Sequence, residues 1–192
     1  MTAYLDSLFG DLAASVEAAR SQKDRLARAA GLMASSLTGG GQILICGNGG
    51  SAAEAQHFAA EFVGRFLMER PGLPAVSLAA DSSKLTAIGN DYGFQEVFAR
   101  QVRALGRPGD VLWALSTSGT SPNVLAALAA ARERGLRTVY MCGRSLADEG
   151  VADVVILSPG PSTPRIQELH LFYGHALCDM CDRILFAAPV DP

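Results

Sequence analysis

The chain has 192 residues, 49% of them hydrophobic, with a formal charge of −3, four cysteines and three histidines. That length suits one domain with a substantial core, and the slight negative charge argues against nucleic acid as the main partner. No apolar stretch approaches the roughly 20 residues needed to span a bilayer, and the opening Met1-Thr2-Ala3-Tyr4-Leu5-Asp6 lacks the basic and apolar regions of a signal peptide, so a cytoplasmic protein with no membrane contact is expected.

Taken in chain order, Leu5, Leu8, Phe9, Leu12, Val16 and Ala19 recur at helical spacing, as do Leu26, Ala29, Leu32 and Met33. This helical segment, 1–40, ends in Gly39-Gly40-Gly41, which a helix does not survive. Apolar runs at 42–46, 75–79, 110–115, 138–142 and 154–157 then alternate with helical stretches at 51–67, 94–105, 122–134 and 165–186. The runs are continuous rather than alternating, as in strands buried on both faces. They predict an α/β fold: a doubly wound, five-stranded parallel sheet flanked by helices, with ligands at the carboxyl ends of the strands. No linker divides the chain, so 1–192 reads as a single domain, a helical extension (1–40) followed by an α/β core (41–192). The last helix is apolar on more than one side (Leu169, Leu171, Phe172, Ala176, Leu177, Met180, Ile184, Leu185), which points to an oligomeric interface.

Cys178 and Cys181 form a CxxC inside that helix with no second pair, so a four-thiolate zinc site cannot be assembled. Cys46 and Cys142 end apolar runs, where small buried hydrophobes are common.

Two loops suit a phosphate. The first, CGNGGS (46–51), offers glycines for close backbone approach and a following helix N-terminus. It also fits G-x-G-x-x-A, but a dinucleotide fold expects an acidic residue at the end of the second strand, and Asp81 comes late for that. The second, STSGTS (116–121), carries five hydroxyls in six positions. Pro122 fits a first helical position and makes Ser121 a candidate N-cap, a role that uses only one or two of those hydroxyls.

Candidate acid, base and metal ligands lie on the helices. His57 and Glu61 are four apart and share a face; Gln167 and His175 are eight apart, about 80° around the helix. Two facing helices could present imidazole, carboxylate, amide and imidazole to one point, a mixed set that suits zinc. The plainer alternative stands beside it: a solvated glutamate and structural histidines. Asn90-Asp91-Tyr92-Gly93 reads as a turn. Lys23 and Lys84 are the only lysines, which disfavours Schiff-base chemistry.

CGNGGS followed by STSGTS resembles the sugar isomerase (SIS) domain, a phosphosugar-binding, flavodoxin-like fold. SAAEAQHFAAEFVGRF (51–66), RPGLPA (70–75), LTAIGNDYGFQEVFARQV (85–102) and RIQELHLFYGH (165–175) resemble the bacterial phosphoheptose isomerases over nearly the whole chain. The resemblance implies conversion of sedoheptulose 7-phosphate to D-glycero-D-manno-heptose 7-phosphate through an enediol, with Glu61 as base and His175 as acid. It implies one divalent metal per subunit, zinc, on His57, Glu61, Gln167 and His175. It also implies substrate contacts at Asn48, Gly49, Gly50, Ser51, Glu61, Asn90, Asp91, Ser116, Thr117, Ser118, Ser121 and Gln167, and a homotetramer that uses the helical extension. Two alternatives remain. AQHFAA (55–60) and the CDMCDRILF tail (178–186) also resemble a non-catalytic SIS protein that binds a replication initiator. An isomerase of another phosphosugar is the second.

Overall fold

All five apolar runs form strands, and every strand pairs in parallel with its neighbours. The computed structural model describes residues 1–143 and 149–187. The strands are β1 (Ile43–Cys46), β2 (Ala75–Ser77), β3 (Val111–Ser116), β4 (Arg137–Cys142) and β5 (Val154–Leu157), in the order β2-β1-β3-β4-β5. Around them lie α1 (Thr2–Ala19), α2 (Lys23–Thr38), α3 (Gly50–Val63), α4 (Ser82–Tyr92), α5 (Ala99–Leu105), α6 (Pro122–Glu133) and α7 (Thr163–Phe186). A 3-10 turn at Arg20–Gln22 joins α1 to α2. No helix among the described residues is long and apolar enough to cross a membrane.

The sheet separates two apolar layers because successive side chains of a strand point to opposite faces. Ile43, Ile45, Trp113 and Leu115 pack with α2, α3 and α7, whereas Leu44, Cys46, Leu112 and Ala114 pack with α5 and α6. Every residue of β1 and β3 is buried, which accounts for their unbroken hydrophobicity. At the centre of the first layer, Trp113 stacks on Phe58 of α3, the rings 4.7 Å apart and 10° from parallel. The indole Nε1–H donates to Met141 Sδ at 3.1 Å. Gly174 of α7 lies on that phenyl ring: a Cβ there would sit 2.1 Å from Phe58. This close approach brings α3 and α7 side by side.

Several boundaries differ from the sequence expectation. β2 ends at Ser77 and gives way to a turn, and α3 runs from Gly50 to Val63 rather than 51–67. The expected turn at 90–93 is instead the end of α4, a helix not expected at all. The Asp81 carboxylate caps it by accepting from the Lys84 N–H at 3.0 Å, and Gly93 stops it with φ +87°. That bond is the main cause of a lowered Asp81 pKa. The stretch 94–105 divides into a 3-10 turn, Phe94–Glu96, and the short α5.

All four cysteines are buried. Burial pushes the Cys46 and Cys181 thiols up to about 12 and raises Cys178 as well. The CxxC is therefore packing, and its thiols are neutral at physiological pH. In the native protein none of the four thiols is expected to react with a thiol-directed reagent at neutral pH, and all four react after denaturation. Rapid labelling of Cys178 or Cys181 before unfolding would contradict this account.

Candidate active site

In open α/β sheets the binding crevice opens at the carboxyl ends of the strands, where the strand order reverses. Here that point lies between β1 and β3, and the glycine loop and the serine loop extend from those two strands. Asn48 and Asn123 tie the loops together through a reciprocal amide pair, each Nδ2 donating to the other's Oδ1 at 2.8 Å. Asn123, on the first turn of α6, is buried; nothing in its sequence context distinguishes it from an ordinary helix-start asparagine.

Gly49 has φ +54°, a conformation open to glycine, and turns the chain into α3, whose first turn no side chain caps. The amide groups at such a helix start, and its positive dipole end, suit an anion. Ser51 lies buried on that turn, and Gly50 meets α7: a Cβ at Gly50 would lie 2.2 Å from Gln167 Nε2. Glycine here lets the Gln167 carboxamide rest against the loop.

In the second loop Ser116 Oγ is 2.9 Å from Ser121 Oγ and 3.3 Å from Ser118 Oγ. The Gly119 N–H donates to Ser116 Oγ and the Thr120 N–H to Ser118 Oγ, both at 3.2 Å. Ser121 occupies the N-cap position of α6 with Pro122 following, but its hydroxyl makes no capping bond and joins this cluster instead. Thr117 lies half-buried between Ser116 and Ser118. The result is a group of hydroxyls at a strand end, each able to donate or accept.

The acid–base candidates come together where α3 meets α7. His57 Nε2 and His175 Nε2 are 2.8 Å apart, so one ring donates to the other's bare nitrogen. Glu61 Oε1 lies 3.6 Å from His57 Nε2. Phe66 stacks on His175 at 5.3 Å, and Phe58 meets the same imidazole edge-on at 6.4 Å. His57 remains 41% and Glu61 23% exposed, open to a ligand from solvent. Among the described residues no three His, Cys, Asp or Glu side chains form a group that could hold a metal ion by themselves. The two imidazoles and Glu61 stand instead as a hydrogen-bonded pair with a carboxylate beside it. Their nitrogen and oxygen donors are nonetheless of the kind a borderline divalent cation takes, with the Gln167 carboxamide as a further oxygen on α7.

Asn90 and Asp91 stand apart. Both are exposed at the end of α4, Asn90 Nδ2 donating to Asp91 Oδ1 at 2.8 Å, and no hydrogen bond joins them to the other candidates. Lys84 pairs with Asp81 at 3.3 Å on the surface, and Arg65 with Glu69 at 3.5 Å. His170, which spacing sets apart from His175, is fully buried against α3, its Nδ1 3.8 Å from Glu54 Oε2.

A parallel sheet of this strand order, with a hydroxyl-rich loop after β3 and an imidazole–carboxylate group on the adjoining helices, defines a SIS-domain protein; the SIS domain model matches residues 8–143. Among its relatives, the phosphoheptose isomerase of Solidesulfovibrio magneticus is 58% identical over 85% of this chain and 80% of its own length. That of Thiobacillus denitrificans is 52% identical over 94% of this chain and 95% of its own. The structure of the phosphoheptose isomerase from Neisseria gonorrhoeae superposes with a TM-score of 0.86 at 45% identity, covering 94% of this chain and 98% of that one. The one from Francisella tularensis gives 0.85 at 37% identity with the same coverage. The chain belongs to the phosphoheptose isomerases.

Proposed function

We propose that this protein interconverts sedoheptulose 7-phosphate and D-glycero-D-manno-heptose 7-phosphate. The observation that carries the reading is the meeting of His57, Glu61 and His175 where α3 packs on α7, in a chain of this family whose β3 ends in a hydroxyl cluster. Ketose-to-aldose conversion moves a proton from C1 to C2 and redistributes the oxygen-bound protons through an enediol. The Glu61 carboxylate removes the C1 proton and returns it at C2, and the His175 imidazole moves the proton between O2 and O1. The phosphate, remote from the reacting carbons, anchors the sugar on Asn48, Gly49, Gly50, Ser51, Ser116, Thr117, Ser118 and Ser121. Its binding energy serves to position the far end of the substrate. Asn90 and Asp91 supply partners for sugar hydroxyls, and Gln167 bridges the loop and the reacting end.

His57, Glu61, Gln167 and His175 would hold one divalent metal, zinc by donor type. When bound, it supplies Lewis-acid polarisation of the carbonyl. We also place the working enzyme in a homotetramer. The support is apolar surface left bare on the helices: Tyr4 and Phe9 of α1 are 62% and 71% exposed, and Phe172 and Ile184 of α7 are 55% and 54% exposed. An initiator-binding role gains no support from the tail motif, since Cys178, Cys181 and Asp182 are buried in the core.

The test is an assay of the purified protein with sedoheptulose 7-phosphate, before and after removal of metal by a chelator. We expect formation of the aldose, a loss on chelation of about tenfold or more, and recovery on adding zinc. No aldose under any of these conditions would overturn the reading; full activity after verified metal removal would overturn the metal part alone. Sedimentation at micromolar concentration reads the oligomeric state.

A further inference from the structure

Arg70, in the loop between α3 and β2, is a buried cation that the reaction does not use. Its side chain is 1% exposed, as is expected of an arginine only where each donor finds an acceptor. Nε donates to Asp182 Oδ1 at 2.9 Å, and Asp182 is itself 2% exposed on α7. Nη2 donates to the Glu61 carbonyl at 2.9 Å, and Nη1 to the carbonyls of Phe62, Gly64 and Pro71 at 2.7, 3.0 and 3.1 Å. The carbonyls of Glu61, Phe62 and Gly64 belong to the end of α3, where a helix leaves its last carbonyls without internal partners and carries its negative dipole end. One guanidinium thus closes the helix that bears His57 and Glu61. Through Asp182, seven residues and two turns beyond His175, it fastens that helix to the one bearing His175.

We propose that Arg70 is a positioning residue for the isomerisation: it holds the last turn of α3 against α7 so that the Glu61 carboxylate keeps its place beside the His57–His175 pair. The inference rests on the function proposed above. A planar fork with five donors at fixed angles can meet carbonyls and a carboxylate together, whereas an ammonium of the same charge cannot. Buried ion pairs are generally dispensable for stability when both partners become apolar, but an apolar pair has nothing to hold the Glu61 carbonyl.

The experiment compares wild type with Arg70→Lys and with the double variant Arg70→Met/Asp182→Leu. It reads thermal stability, kcat and KM on sedoheptulose 7-phosphate, and hydrogen exchange of the amides at 61–64. Arg70→Lys keeps the charge and loses the fork. The double variant removes the unpaired buried carboxylate that Arg70→Met alone would leave. We expect the double variant, read per folded molecule at a temperature where it is fully folded, to keep kcat reduced on the order of 10²-fold, as misplacement by an ångström does, with KM changed by less than about threefold. Amides 61–64 exchange faster in both variants. Wild-type kcat in either variant, or a kcat loss in Arg70→Lys that tracks only the fraction unfolded, would overturn the proposal. Failure of the functional reading is distinct: the wild-type control then makes no aldose, and unchanged exchange at 61–64 in Arg70→Lys still decides against the clamp.

Discussion

Replacing Glu61 by glutamine lowers kcat on sedoheptulose 7-phosphate by about 10²–10⁴-fold, the range spanned by loss of a general base. The substitution preserves shape and one oxygen while removing the only group at the His57–His175 pair placed here as the carbon-bound proton's acceptor. Substrate affinity is expected to change little, because the phosphate is anchored by loops at the ends of β1 and β3 rather than by Glu61. The two quantities separate cleanly: calorimetric titration with sedoheptulose 7-phosphate reports binding, and exchange of the C1 hydrogen with solvent reports proton abstraction. Hydrogen exchange at the wild-type rate in Glu61→Gln would remove Glu61 from the base role. Equal losses of binding and turnover would make it an anchor instead.

Phe58→Ala is expected to cost about 3–5 kcal/mol of stability, the range for truncating a fully buried aromatic side chain. The ring is fully buried, stacks on Trp113 and fills the space above Gly174, where α7 has no side chain of its own to close a void. Truncation leaves a cavity bounded by rigid neighbours, the circumstance in which the cost is highest. Since Phe58 also meets the His175 ring, activity should fall further than the folded fraction does. Denaturant unfolding with an unchanged slope measures the first effect, and turnover per folded molecule the second. A loss below about 1 kcal/mol would mean that α7 moves in to fill the gap, against the rigid helix pairing described above.

The strands were legible because burial on both faces writes an unbroken apolar run, as Ile43–Cys46 and Val111–Ser116 do. Both candidate phosphate loops were legible for a related reason: glycines and hydroxyls at a buried strand end have little structural use. α4 was not. Ser82–Tyr92 has weak helix formers, no buried residue, and an Asn-Asp-Tyr-Gly end that reads as a turn. Its signals were the capping Asp81 and the stop at Gly93. The His57–Glu61 face followed from spacing, but the distance to His175 depends on the close contact at Gly174, which no periodicity announces. Arg70, in an Arg-Pro-Gly stretch, looks like any solvated loop cation. Only the fold shows that five acceptors surround it.

The single tryptophan has a spectroscopic consequence. Trp113 lies on the strand that leads into the serine loop, and its ring rests on Phe58, one residue from His57. Its emission belongs to one site and one environment. Shielded from water throughout, it should fluoresce at short wavelength in the folded state and shift red in a single step on unfolding. It reports on the very layer that joins the serine loop to the imidazole pair, so an optical signal for that region is built into the chain without any label.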